Sequence, residues 1–230
     1  MKKIAVIIPA YNEAASIGHV LEALPKFVSE VFVIDNNSSD NTAEVAKAKG
    51  ATVLFEKQKG YGHACLKGME ELANNPPDIV VFIDGDFSDF PEELPLLIDP
   101  ILKDNKQFVL GSRVKSLREK GALTPQQIFG NALACFLMRF LYNGQFTDLG
   151  PFRAIKWSVL NGLEMQDKTY GWTVEMQLKV LKRKIPYTEV PVHYRKRIGT
   201  SKVSGTLKGT FMAGYKILSW IGTFYFSKWE

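Results

Sequence analysis

The sequence predicts an α/β domain: a mostly parallel central sheet with helices on both faces and a helical appendage at the C-terminus. Three observations lead there. Through residue 112, apolar runs of four or five residues alternate with segments of helical periodicity, the pattern of parallel strands joined by crossover helices. Each run is followed by a polar, turn-forming segment, which gathers candidate ligand-binding residues at the carboxyl ends of the strands. At 230 residues and 46% hydrophobic, the chain can build one sizeable core, and no repeat or flexible linker divides it.

In order, residues 4–8 (IAVII) read as the first strand. Ser16 stands where it can cap a helix running to about Leu24, which Pro25 closes. A strand over 31–34 follows, then a helix over 42–49 that Gly50 ends at its C′ position. Residues 52–55 form a strand, 62–73 a helix and 79–83 a strand. Pro91 is tolerated in the first turn of a helix over 91–102, and 108–111 returns to strand. The second half is less regular. It holds a strong amphipathic helix over 125–142, an irregular or strand segment over 147–154, a helix over 173–182, a strand over 185–192 and a long helix over 206–226.

Composition narrows the setting. A net charge of +5 suits an anionic substrate or membrane surface without requiring either. Cys65 and Cys135 lie in apolar helical patterns and read as buried thiols in a reducing, cytoplasmic compartment. Met1-Lys2-Lys3 leads straight into a short strand, so no secretory signal is expected. No stretch reaches the ~20 apolar residues of a spanning helix. Three dispersed histidines argue against a histidine-built zinc site.

The most informative short feature is Asp84-Gly85-Asp86, directly after the strand at 79–83. A strand period of two would put both carboxylates on one face. Hard Mg²⁺ or Mn²⁺ binds through one or two carboxylates plus substrate phosphates. An Asp-x-Asp alone is equally a loop acid pair capping the next helix, and its weight comes from its neighbours. Pro9-Ala10-Tyr11-Asn12-Glu13, Asp35 to Asp40, Lys59-Gly60-Tyr61-Gly62 and Gly111-Ser112-Arg113 each follow a predicted strand. The glycines of the third would let backbone N–H groups approach a ligand ahead of a helix.

With the stretches IIPAYNE, VIDNNSSDNT, KGYGHA, DGD and GSR in place, the chain resembles the family 2 glycosyltransferases. That resemblance implies a GT-A fold and inverting transfer from a nucleotide-sugar. More narrowly, YRKRIGTSKVS looks like the Arg-x-x-Gly-x-Ser-Lys element of the polyprenyl-phosphate group, which includes the dolichyl-phosphate mannose synthases. The spacing from Glu175 to Glu189-Val190-Pro191 looks like that group too. The resemblance covers roughly residues 3–205, expected as the catalytic domain, with 206–230 as the C-terminal amphipathic, aromatic helix.

The resemblance implies that Pro9, Tyr11 and Glu13 line the nucleotide pocket with Lys59 and Gly62, and that Asp35 contacts base or ribose. It implies Asp84 near ribose and metal, and Asp86 on the Mg²⁺ or Mn²⁺ that bridges the donor diphosphate. Arg113 would be a phosphate clamp or a salt bridge. Arg195 and Lys202 would hold the phosphate of a polyprenyl-phosphate acceptor or the donor diphosphate. Such a phosphate is already ionised near neutral pH and needs little base catalysis. A hydroxyl acceptor would need a carboxylate base, Glu175 or Asp148. Two departures stand out: Ser88 where the mannose synthases often carry a metal-binding Gln, and Gly150-Pro151 where the group usually has Ser-Gly.

From Lys179 to Lys208 nine Lys or Arg face one acid, Glu189, and residues 211–229 hold seven aromatics with Lys216 and Lys228 the only charges. Peripheral contact with the inner face of the cell membrane, a homodimer interface and packing on the core all fit this segment. No nucleic-acid motif accompanies it. The expected function is therefore sugar transfer from a UDP- or GDP-sugar to a polyprenyl phosphate. The alternatives are a soluble family 2 enzyme with a hydroxyl acceptor, a nucleotidylyltransferase, and a non-catalytic nucleotide-sugar-binding protein.

Overall fold

A computed structural model describes residues 2–199 and 207–226. The elements run β1 Ile4–Ala10, α1 Ile17–Ala23, β2 Glu30–Asp35, α2 Thr42–Ala48, β3 Thr52–Phe55, α3 Tyr61–Leu72 and β4 Ile79–Phe82. A 3₁₀ turn at Pro91–Glu93 leads into α4 Leu94–Lys103 and β5 Phe108–Ser112. There follow α5 Pro125–Tyr142, β6 Arg153–Lys156, α6 Trp157–Leu163, α7 Trp172–Lys182, β7 Tyr187–Pro191 and α8 Leu207–Phe226.

The seven strands form one sheet in the order β3-β2-β1-β4-β6-β5-β7. All run parallel except β6, which lies antiparallel to both β4 and β5 between them. Every residue of β1 is buried, which explains its unbroken apolar run: a central strand covered on both faces needs no polar side. Its side chains alternate between two cores. Ala5 and Ile7 join the core under α3, α5, α6, α7 and α8. Ile4, Val6 and Ile8 join the core under α1, α2 and α4.

The expected helix over 91–102 is split because Pro95, at the start of α4, has no N–H to carry a continuous helix through. Helix α6 was not expected; it is only seven residues long and contains Asn161-Gly162, a turn signal. The bounds of α5 match expectation, and a reciprocal Thr124–Gln127 capping box fixes its start. Helix α8 packs on α5 and α7. Its Ile221 and Phe224 enter the core, and the Tyr142 hydroxyl donates to the Ile221 carbonyl at 2.5 Å. Its opposite side exposes Tyr215, Leu218, Tyr225 and Phe226. Among the described residues no helix is long and apolar enough to cross a membrane.

Candidate functional site

A cavity of about 330 Å³ opens at the carboxyl ends of β1 and β4, beside the start of α3. Pro9, Tyr11, Glu13, Lys59, Asp84 and Asp86 all line it. Strand β4 ends at Phe82, so Asp84-Gly85-Asp86 lies in a turn beyond it. The turn, and not the two-residue strand period, brings both carboxylates to the cavity.

The two carboxylates are held differently. Burial first, and the charge of Asp86 second, raise the Asp84 pKa to about 7. Its buried Oδ1 has no hydrogen-bond partner among the described residues. Asp86 Oδ1 accepts the Ser88 N–H at 2.9 Å and its hydroxyl at 2.5 Å. The serine that stands in for a metal-binding Gln is thus a fully buried support for Asp86.

Asp86 Oδ2 lies 3.2 Å from Arg197 Nη1, and Arg197 Nη2 donates to Glu13 Oε1 at 2.8 Å. Glu13 Oε2 in turn accepts the Ser16 hydroxyl at 2.9 Å, so Ser16 anchors this glutamate and makes no side-chain cap on α1. One guanidinium therefore joins the ends of β1 and β4 across the cavity. Hard oxygens, one of them buried and unpartnered, fit a divalent cation. Among the described residues no group of three His, Cys, Asp or Glu side chains could hold one, so phosphate oxygens of a ligand would complete its coordination.

At the other end, Lys59 Nζ donates to the Tyr11 hydroxyl at 2.7 Å and lies 4.4 Å from the ring centroid. The Asn36 amide fixes the segment that carries Lys59, donating to Gln58 O at 2.7 Å and accepting from Gly60 N at 2.7 Å. Asp35 is buried, accepts the Ser38 N–H at 3.1 Å and does not line the cavity; its neighbour Asn36 does.

The expectation for Gly62 is corrected. A Cβ there would stand 2.0 Å from the Asp167 carbonyl oxygen, so the close approach this glycine permits is to the chain's own backbone. Two of the first three N–H groups of α3 are already taken: Gly62 donates to Thr169 O at 3.3 Å and His63 to Lys168 O at 3.0 Å. They do not form an open phosphate cradle.

Four further candidate residues have close partners of their own. Arg113 is locked to Asp148 by two parallel side-chain bonds of 2.7 Å, the salt-bridge reading rather than the clamp. Burial alone would push the Asp148 carboxyl up, but Arg113's charge and hydrogen bonds hold it below its usual value, which weakens it as a base. Glu175 is fully buried on α7, where it accepts the Gln166 and Asp167 N–H groups and the Lys179 ammonium, each at 2.8 Å. Arg195 lies between the Phe87 and Phe90 rings, 3.7 and 3.6 Å from their centroids, and donates to Asp89 O, outside the cavity. Lys202 lies outside the described residues.

The arginine that lines the cavity is instead Arg197, which sequence reasoning passed over. The signal was present: Arg195 stands four residues before Gly199, one more than the Arg-x-x-Gly element asks, and Arg197 is the nearer arginine.

Glu175→Gln separates its two readings. It is expected to cost about 1.5–3 kcal/mol of stability by denaturant unfolding, because Lys179 keeps a weaker partner. It should not produce the roughly 10²–10⁴-fold rate loss that follows removal of a general base. A loss of that size at unchanged stability would restore Glu175 as the base.

Comparison with known proteins adds the following. The family model described as Glycosyl transferase family 2 matches residues 5–161. An uncharacterized glycosyltransferase of Mycobacterium tuberculosis is 32% identical over 213 residues, 91% of this chain and 94% of the relative. The UDP-N-acetylglucosamine–dolichyl-phosphate N-acetylglucosaminyltransferase of Methanococcus voltae is 30% identical, over 94% of this chain and 93% of its own. A crystal structure of glucosyl-3-phosphoglycerate synthase from Mycobacterium tuberculosis, in complex with Mn²⁺, UDP and phosphoglyceric acid, superposes with a TM-score of 0.78. It is 23% identical and covers 98% of this chain and 79% of that one. The expected GT-A-like architecture is the one observed.

Proposed function

Since this chain belongs to glycosyl transferase family 2, we propose that it transfers a sugar, with inversion, from a UDP- or GDP-sugar to a polyprenyl phosphate. The observation that carries the reading is the meeting of Asp84, Asp86, Glu13 and Arg197 at one cavity with Tyr11 and Lys59. Tyr11 and Lys59 would take the nucleoside end and the acid pair the diphosphate end. In a single displacement an acceptor oxygen bonds to the anomeric carbon as the bond to the diphosphate oxygen breaks. The nucleoside diphosphate leaves with the electron pair.

A Mg²⁺ or Mn²⁺ held by Asp84 and Asp86 would neutralise that developing charge when bound. Ser88 keeps Asp86 oriented, and Arg197 offers a second cation beside it. An acceptor that arrives ionised suits the site, because both carboxylates weighed as bases, Glu175 and Asp148, are engaged elsewhere. The relative from Methanococcus voltae, named for dolichyl phosphate, supports the same class of acceptor.

The surface supports peripheral contact with anionic lipid. Helices α5 and α8 pack together and contain no Asp or Glu; their only charged residues are Arg139, Lys208 and Lys216. Phe129, Phe136 and Phe140 on α5 and Tyr215, Tyr225 and Phe226 on α8 are exposed. Aromatic side chains with sparse positive charge suit a lipid interface, and two copies face to face would oppose like charges.

The test is release of nucleoside diphosphate from UDP- and GDP-sugars with Mn²⁺, with and without a polyprenyl phosphate in anionic vesicles. Lipid-dependent release is expected. Release that a soluble hydroxyl acceptor supports and the lipid does not would overturn the acceptor. No release from any donor would overturn the enzyme reading.

A further inference from the structure

One carboxylate outside the acid pair ties the C-terminal helix to the cavity. Asp167 has a fully buried side chain and lies in the segment between α6 and α7. Its Oδ1 accepts the backbone N–H groups of Thr169 at 2.7 Å and Gly171 at 2.9 Å. Its Oδ2 accepts the Trp220 indole N–H at 2.6 Å and meets Lys216 Nζ at 3.2 Å, both from α8.

The same short segment forms one wall of the cavity through Thr169 and Tyr170. Its carbonyls at Lys168 and Thr169 accept the His63 and Gly62 N–H groups, so it also holds the first turn of α3. Contact with α8 is close: a Cβ on Gly171 would stand 2.4 Å from Trp220 Cδ1. A buried carboxylate with two backbone donors on one oxygen and two side-chain donors on the other has little freedom. Removing either side-chain donor leaves desolvated charge under-satisfied.

We propose that Trp220, supported by Lys216, is a positioning residue for the donor cavity: through Asp167 it holds the Thr169–Tyr170 wall in place. The proposal rests on the reading of that cavity as the nucleotide site. Trp220 touches no expected reacting atom, and its effect runs through nucleotide binding and not through the chemical step.

The experiment uses the full chain and Trp220→Phe, which keeps an aromatic ring and removes the N–H donor. Binding of UDP and of GDP, each with Mn²⁺, is measured by titration calorimetry beside donor kinetics and thermal unfolding. For whichever nucleotide the wild type binds, Kd is expected to rise about three- to tenfold, as loss of one hydrogen bond to a charged group allows. Donor KM should rise in step, with kcat within about twofold.

Lys216→Met, at a partly exposed position, should raise Kd in the same direction by a smaller factor and serves if Trp220→Phe fails to fold. Unchanged nucleotide affinity and donor KM in the folded variants, whatever happens to the melting temperature, would overturn the proposal and leave Trp220 a packing residue. If the wild type binds neither nucleotide, the donor-site reading itself fails, and that result appears before any variant is compared.

Discussion

Replacing Asp86 by alanine is expected to lower donor turnover by about 10²–10³-fold, the usual effect of removing one preorganised group from a developing charge. Three features make this carboxylate the sensitive member of its pair. It is the one that Ser88 orients through two bonds to a single oxygen. Its other oxygen meets Arg197, so its loss also frees the guanidinium that reaches to Glu13. Asp84 is a poor substitute: it is buried, and no partner among the described residues orients its Oδ1 as Ser88 orients Asp86. The check is nucleoside diphosphate release across a Mn²⁺ titration. Retained turnover with the wild-type Mn²⁺ dependence would remove Asp86 from the proposed site.

The second large effect concerns stability. Arg113→Ala should destabilise the fold by about 3–5 kcal/mol, because it strips a buried carboxylate of its one short cationic contact among the described residues. Asp148 would keep the Arg113 and Leu149 backbone N–H groups, which cannot supply the charge. Asp148 also sets the pH dependence. Its folded pKa is depressed below the reference 3.8, so its contribution is fully present above that value and disappears as pH falls through the lower, folded one. The gap between wild type and variant should narrow as pH falls, starting where the unpaired Asp148 of the variant, pushed up by burial, takes its proton, and levelling off below the depressed wild-type value. Denaturant unfolding at several pH values reads both. A variant of wild-type stability that has lost turnover would instead make Arg113 a phosphate clamp.

The parallel half of the sheet was readable because strands buried on both faces leave uninterrupted apolar runs such as 4–8 and 79–83. The polar segments after them could then be placed at one edge, and Tyr11, Glu13, Lys59 and the acid pair do meet there. Individual roles were less readable because they depend on which partner arrives from far along the chain. Arg113 finds Asp148, Glu175 finds Lys179 and the segment before α7, and Arg195 finds two phenylalanines. In a run of three cations, Arg195-Lys196-Arg197, composition is uniform. Only the backbone path decides that Arg197 points at Asp86 while Arg195 does not.

Strand β6 has a consequence for how the protein is made. Among the described residues it is the one strand that touches both β4 and β5, and so joins the β3-β2-β1-β4 ribbon to the β5-β7 pair. Yet β5 leaves the ribosome first, and some forty residues, α5 among them, separate it from β6. During that interval β4, ending just before the acid pair, and β5 each present an open edge of unpaired backbone groups that invites pairing with other chains. Pairings this distant in sequence also form slowly. Translation halted before residue 153 should therefore leave a nascent chain that chaperones retain and that aggregates on release, whereas one extended past residue 156 has the strand that closes the gap.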